Sequence, residues 1–242
     1  ESPITLLGAI TAIEKAATDP AIAGICIHQN GAGIIGGANL EELRGALVRF
    51  KESGKWIVAY DDIYTQTEYY LASVADIVMM HPYGTLELQG IGSMTPFFKG
   101  LLDRLDVKVE AIRPTVCKYK SAVEPYLLTK MSDANRRQMD ELGDGMWNTI
   151  CTTVAAARGI TVEALNKIAD TTPVLFPEQA VEHKLVDGVI YRDQMEDIFA
   201  EYGVKKNFLD EYQFISLGDY CSSVAIDDTK LSAPKVGIIY AE

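Results

Sequence analysis

The segment Cys117-Lys118-Tyr119-Lys120-Ser121-Ala122-Val123-Glu124-Pro125 carries the side chain best suited to moving a proton, Lys120. A lysine beside a strand is usually a surface charge, and composition alone gives this one no other role. To act as a base, a lysine must first lose its proton. The reference pKa of the side chain is about 10.4, so work near neutral pH needs a drop of about three units, roughly 4 kcal/mol. Desolvation and nearby positive charge supply such drops. Arg113 and Lys118 are neighbouring cations, and much of the flanking sequence is apolar. A second candidate is Gly31-Ala32-Gly33-Ile34-Ile35-Gly36, which matches GxGxxG between a strand and a helix. Gly31, Gly33 and Gly36 fit a structural turn, a loop offering N–H groups to an oxyanion or a peptide backbone, or a pyrophosphate site. Asp61 and Asp62 end the next strand, where a ribose-binding acid would sit. Against the nucleotide reading, the helix is expected to start near Asn39, several residues past the glycines, and another helix precedes the strand.

Other reactive side chains lack partners at a recognisable spacing. His28 ends a strand beside the glycine-rich segment, His81 precedes a proline turn, and His183 lies on a helix; each reads as structural. Ser73 is expected to pack on a helix. Ser121 adjoins Lys120, and adjacent side chains seldom face each other, so a supporting role is expected. Cys26, Cys117, Cys151 and Cys221 form no CxxC pair and no Cys/His cluster, so neither a zinc site nor any other cofactor is expected. Cys26 and Cys151 read as small core residues. The pair Tyr69-Tyr70 reads as core.

The elements that would position these residues alternate along 242 residues. Helices are expected at residues 4–17, 39–51, 66–74, 96–105, 161–169, 177–184 and 192–202, and a long one at 133–158. Met139, Leu142, Met146, Ile150 and Val154 recur on the long helix at three- and four-residue steps, an amphipathic stripe. Strands are expected at 24–28, 56–60, 77–80, 107–112 and 186–190, with a turn at His81-Pro82-Tyr83-Gly84. Short apolar strands alternating with helices predict an α/β fold, a mostly parallel sheet covered by helices. A formal net charge of -12 and sparse basic residues argue against nucleic acid as a partner. No apolar run is long enough to span a bilayer. Residues 1–226 read as one domain, 227–234 as a linker and 235–242 as the first strand of a truncated second repeat.

The run Tyr119-Lys120-Ser121-Ala122-Val123-Glu124-Pro125, followed by Met131-Ser132, resembles the lysine motif of the signal peptide peptidase A family, in the N-terminal half of its long form, protease IV. Tyr69-Tyr70-Leu71-Ala72-Ser73, Leu101-Leu102-Asp103-Arg104-Leu105 and Lys184-Leu185-Val186-Asp187 agree in order and spacing, and Val236-Gly237-Ile238-Ile239-Tyr240-Ala241 resembles the strand opening the second half. The resemblance implies a crotonase/ClpP-like fold and a Ser/Lys dyad. Lys120 would be the general base, and the serine would come from a C-terminal half. It implies no metal or nucleotide. Signal peptides and other apolar peptides would be the substrates. The assembly would be a ring-like homo-oligomer, a tetramer, anchored in the cell inner membrane through a segment absent here, with the catalytic part facing the periplasm or exterior. Short-form relatives carry the nucleophile in Ser-Gly-Gly-Tyr-Tyr, where this chain reads Gln66-Thr67-Glu68-Tyr69-Tyr70. Gln66 takes the serine's place, and an amide is no nucleophile. The chain alone is expected to be inactive. Two rival readings are a non-catalytic assembly domain and, on the glycines, a dinucleotide-binding enzyme.

Overall fold

A computed structural model describes residues 4–29, 36–112, 117–207 and 209–224. In chain order the elements are α1 (Leu6–Thr18), β1 (Gly24–Ile27), α2 (Gly37–Glu52), β2 (Trp56–Tyr64), α3 (Gln66–Ala72), β3 (Ile77–Glu87), α4 (Lys99–Arg104), α5 (Glu124–Leu127), α6 (Asp133–Arg158), α7 (Val162–Thr171), β4 (Val174–Leu175), α8 (Pro177–Glu182), β5 (Gly188–Val189), α9 (Met195–Glu201) and α10 (Leu217–Ser223). The strand order is β1-β2-β3-β4, with β5 also pairing with β3. β5 runs parallel to β3, Met79 opposite Gly188, while the two-residue β4 runs antiparallel, Leu86 opposite Leu175. The chain is thus α/β with a helix-covered mixed sheet, as the alternating elements predict.

The chain divides into two compact units. Among the described residues the first comprises 4–26, 36–58, 193–207 and 209–224, the second 27–29, 59–112 and 117–192. In the first, α1 buries Ala9, Ala12, Ile13 and Ala16, and α2 buries Leu40, Ala46, Leu47 and Phe50. The Thr5 hydroxyl caps α1 by accepting the Gly8 N–H at 3.1 Å. At the other end the Lys55 ammonium donates to the carbonyls of Ala16 and Asp19, each at 2.6 Å, which satisfies carbonyls the helix leaves open. The Trp56 indole stacks on Tyr202 with ring centroids 5.0 Å apart.

The core of the second unit holds Tyr64, Tyr69, Val78, Met80, Leu86, Val154, Leu165, Leu175 and Leu185. Two buried tyrosine hydroxyls find carbonyls: Tyr64 donates to Met79 at 2.9 Å and Tyr69 to Leu185 at 2.6 Å. The Arg158 guanidinium, at the end of α6, grips the Asp187 carboxylate with two bonds of 2.8 and 3.0 Å. Asp187 also accepts the Val78 N–H at 2.7 Å, which ties β3 to the approach of β5.

Several expectations change. The predicted turn at His81-Pro82-Tyr83-Gly84 is the middle of β3, which runs on to Glu87. Its glycine serves close strand approach instead: a Cβ on Gly84 would lie 2.2 Å from the Asp62 carbonyl oxygen. Residues 107–112 form no strand, and Val107, Val109 and Ile112 are exposed. Asn39 is not a cap, because α2 already starts at Gly37 with Gly36 in the cap position. Cys26 is exposed rather than core, whereas Cys151 is buried. On α6 the apolar stripe is only partly covered: Val154 is buried, but Leu142 and Met146 are exposed. The proposed linker 227–234 and the closing strand 235–242 lie outside the described residues.

Candidate functional site

β2 ends at Tyr64, and α3 starts two residues later under a reciprocal cap. The Thr65 hydroxyl accepts the Glu68 N–H at 3.4 Å, and the Glu68 carboxylate accepts the Thr65 N–H at 2.9 Å. The same carboxylate takes the Thr65 O–H at 2.7 Å. The hydroxyl beside position 66 is therefore already engaged as a donor. Gln66 opens the helix, and its amide turns onto the segment leaving β3. Its Oε1 accepts the N–H groups of Gln89 and Gly90, each at 3.0 Å, and its Nε2 donates to the Gly90 carbonyl at 3.2 Å. Ser73 is 1 % exposed and donates to the Tyr70 carbonyl at 2.9 Å, the packing role expected of it.

Behind α3 lies a polar cluster at the ends of β1 and β2. The Gln29 N–H donates to Asp61 Oδ2 at 2.8 Å, and its side-chain amide donates to the Glu68 carbonyl at 2.9 Å. His28 Nδ1 lies 3.0 Å from the Tyr60 carbonyl, which accepts only, so Nδ1 carries the hydrogen. Asp61 Oδ1 is 3.5 Å from the same nitrogen. His28 Nε2 and the Tyr60 hydroxyl are buried without a hydrogen-bond partner among the described residues. Burial, reinforced by the charge of Asp62, pushes the Tyr60 phenol up to about 12. Burial also raises Asp61 from its ordinary value, against the opposing pull of the Gln29 N–H and of His28. The Asp61 carboxylate is thus held by the protein's own backbone, which leaves little of it for a ribose.

Lys120 sits on a turn between residue 117 and α5, its N–H on the Cys117 carbonyl at 3.2 Å. Its side chain is exposed and lies in an open depression with Tyr119 and, from α6, Arg137, Gln138 and Glu141. Gln66 is not among the residues lining that depression. The Arg137 guanidinium pairs with Glu141 at 2.8 Å, so much of its charge is balanced locally. Lys118 lies 4.9 Å above the Tyr119 ring. Of the other residues singled out in the sequence, Gly31, Gly33 and Arg113 lie outside the described residues. Gly36 belongs to the first unit, with φ at +91°, a conformation that favours glycine. No group of three His, Cys, Asp or Glu residues that could hold a metal occurs among the described residues.

Sequence reasoning passed over Gln29, which joins Asp61 to α3, and gave Glu124 no role of its own. Glu124 is 5 % exposed and receives hydrogen bonds from Ser132 and Asn135. The signal for it was present: an acid between Val123 and Pro125, eight residues before a serine that starts a long helix.

The fold and the two sites define an α/β chain with a helix-covered sheet, an exposed lysine on a fastened turn, and a glutamine at the start of α3 whose amide is bound to the main chain. The chain belongs to peptidase family S49, whose profile matches residues 49–204. It is similar to Protease 4 of Haemophilus influenzae, 36% identical over 160 residues, covering 65% of this chain and 25% of that one. Protease 4 of Salmonella typhi is 29% identical over 235 residues, 92% of this chain and 37% of the relative. A chloroplastic serine protease SPPA of Arabidopsis thaliana is 28% identical over 194 residues, 80% and 28% of the two chains. The chain therefore spans between a quarter and about two fifths of the length of these relatives.

Proposed function

We propose that this chain is the base-bearing half of a serine/lysine endopeptidase. Lys120 takes the proton of a serine supplied by a further half of the protein and later hands it to the leaving amine. The serine oxygen adds to the peptide carbonyl, the amine departs with the proton, and water then releases the acyl group. The observation that carries this reading is the pair of contrasting positions. Gln66 stands in the nucleophile's place with its amide bound to three backbone groups, whereas Lys120 projects from an anchored turn into an open depression. Exposure in this chain is compatible with the role if the second half covers the ammonium and desolvates it.

The substrate class follows from the family: extended, apolar peptides, cleaved signal peptides among them, bound through their backbone. The same reading carries a homo-oligomer, a tetramer, in the inner membrane with its catalytic part on the outer side. In the full-length protein, Lys120→Ala should abolish hydrolysis of a fluorogenic apolar peptide while circular dichroism stays unchanged. Retained activity in that variant rules the assignment out. The chain by itself should hydrolyse nothing above background.

A second reading has its own observation. Leu142 and Met146 leave an apolar stripe exposed on α6, which suits a domain that mainly builds an assembly. Under that reading Lys120→Ala leaves peptide hydrolysis intact, and Leu142→Glu with Met146→Glu lowers the oligomeric mass.

A further inference from the structure

We infer that Glu124 is the positioning residue of the lysine turn, a role that rests on the reading of Lys120 as base. Glu124 is 5 % exposed, and its carboxylate meets three donors. Oε1 accepts the Ser132 hydroxyl at 2.6 Å, and Oε2 accepts the Ser132 N–H and the Asn135 side-chain amide, each at 3.1 Å. Ser132 is the cap of α6, its hydroxyl oxygen accepting the Asn135 N–H at 3.2 Å. One acid therefore engages two residues of the first turn of a 26-residue helix, where negative charge is favoured by the helix dipole.

The backbone N–H of Glu124 belongs to the lysine turn and its carbonyl to α5. Its N–H donates to the Ser121 carbonyl at 2.9 Å, and its carbonyl accepts the Leu128 N–H at 2.8 Å. Ser121 follows Lys120 directly. The neighbouring Pro125 carbonyl accepts the Phe98 N–H at 2.7 Å, which moors the same stretch beside α4. The depression holding Lys120 is walled by Arg137, Gln138 and Glu141, one to two turns along the helix whose start Glu124 grips. Any slip between turn and helix start moves the lysine against its own wall. A buried acid that served only to cap α6 would not need its N–H on the lysine turn. Acceptor-only chemistry is what three converging donors require, and a glutamine would turn an N–H₂ toward one of them.

The test uses the full-length protein with Glu124→Gln, the active enzyme being counted by titration with an acylating serine reagent. Per active site, kcat should fall about 10- to 100-fold with KM within about twofold, the pattern of a misplaced group. The acidic limb of the kcat/KM profile, which reports the base giving up its proton, should move to higher pH by about half a unit or more. Amides between residues 118 and 132 should exchange with solvent faster. Asn135→Ala, which removes one donor and leaves the acid, should show the same signs more weakly, and it carries the test if Glu124→Gln fails to fold. Unchanged kcat per active site and an unmoved profile overturn the inference, even if the melting temperature drops. Unchanged exchange in the turn overturns the fastening itself. Lys120→Ala is measured alongside: if it keeps full activity, the reading beneath has failed and the catalytic part of the inference falls with it, while the exchange result still judges the fastening.

Discussion

The start of α3 and the turn before α5 occupy one compact unit and are built in opposite ways. At α3 the polar groups turn inward. Gln66 binds the main chain of Gln89 and Gly90, Thr65 and Glu68 cap each other, and Gln29 ties Asp61 to the helix. Almost nothing there is left to meet a substrate. At the Lys120 turn the inward bonds belong to Glu124 and the backbone, and the lysine itself faces solvent. Under the proposed function, a position that has given up chemistry can close on itself and contribute stability. Under the same proposal, a group that completes its site with a second surface must stay exposed until that surface arrives.

The largest effect that would break this contrast is catalytic. In the full-length protein Lys120→Ala should lower peptide hydrolysis by at least about 10²–10⁴-fold with the fold unchanged, the range for a lost acid–base group. Stability effects should fall on the other region. Gln66→Ala removes three partly exposed hydrogen bonds and should cost about 1–2 kcal/mol in urea unfolding, without touching the activity of the full-length protein. Gln66→Ser should lose similar stability and give the chain alone no hydrolase activity, because position 66 does not line the depression that holds Lys120. Thr65→Ala breaks the reciprocal cap and leaves the buried Glu68 carboxylate short of a donor, a loss of about 1 kcal/mol.

The smallest effect is one of pH. Burial raises Asp61 above its ordinary value, so between the unfolded and folded values the native state holds the proton more tightly than the unfolded chain. Stability from this group is therefore full at low pH and declines as pH rises from about 4 through the raised folded value. Asp61→Asn should flatten that part of a melting temperature–pH curve. A steeper curve in the variant would mean the carboxylate is stabilised rather than penalised by its site.

The long helix was legible almost to the residue, because a serine cap, three-to-four spacing and a closing glycine all agree over 26 residues. Tyr69 and Tyr70 were legible as core, and Lys120 and Gln66 stood out by resemblance alone. Their surroundings were not. The strand β3 runs through His81-Pro82-Tyr83-Gly84 because Gly84 meets the Asp62 carbonyl across the sheet, a partner that local turn chemistry does not see. Residues 107–112 alternate like a strand yet pair with no strand among the described residues, and period alone cannot supply one. Glu124 and Ser132 are eight residues apart, so no helix or strand period links them; only the folded turn brings the carboxylate to the helix start.

Chemical rescue tests the central claim most directly. In the full-length protein Lys120→Cys should be inactive, and alkylation with bromoethylamine should regenerate a lysine-like amine at that position. Wild-type protein treated in parallel controls for the native cysteines, of which Cys26 is exposed. The account predicts that peptide hydrolysis returns with the alkylation and only in the Lys120→Cys protein. Full activity of Lys120→Cys before treatment would contradict it.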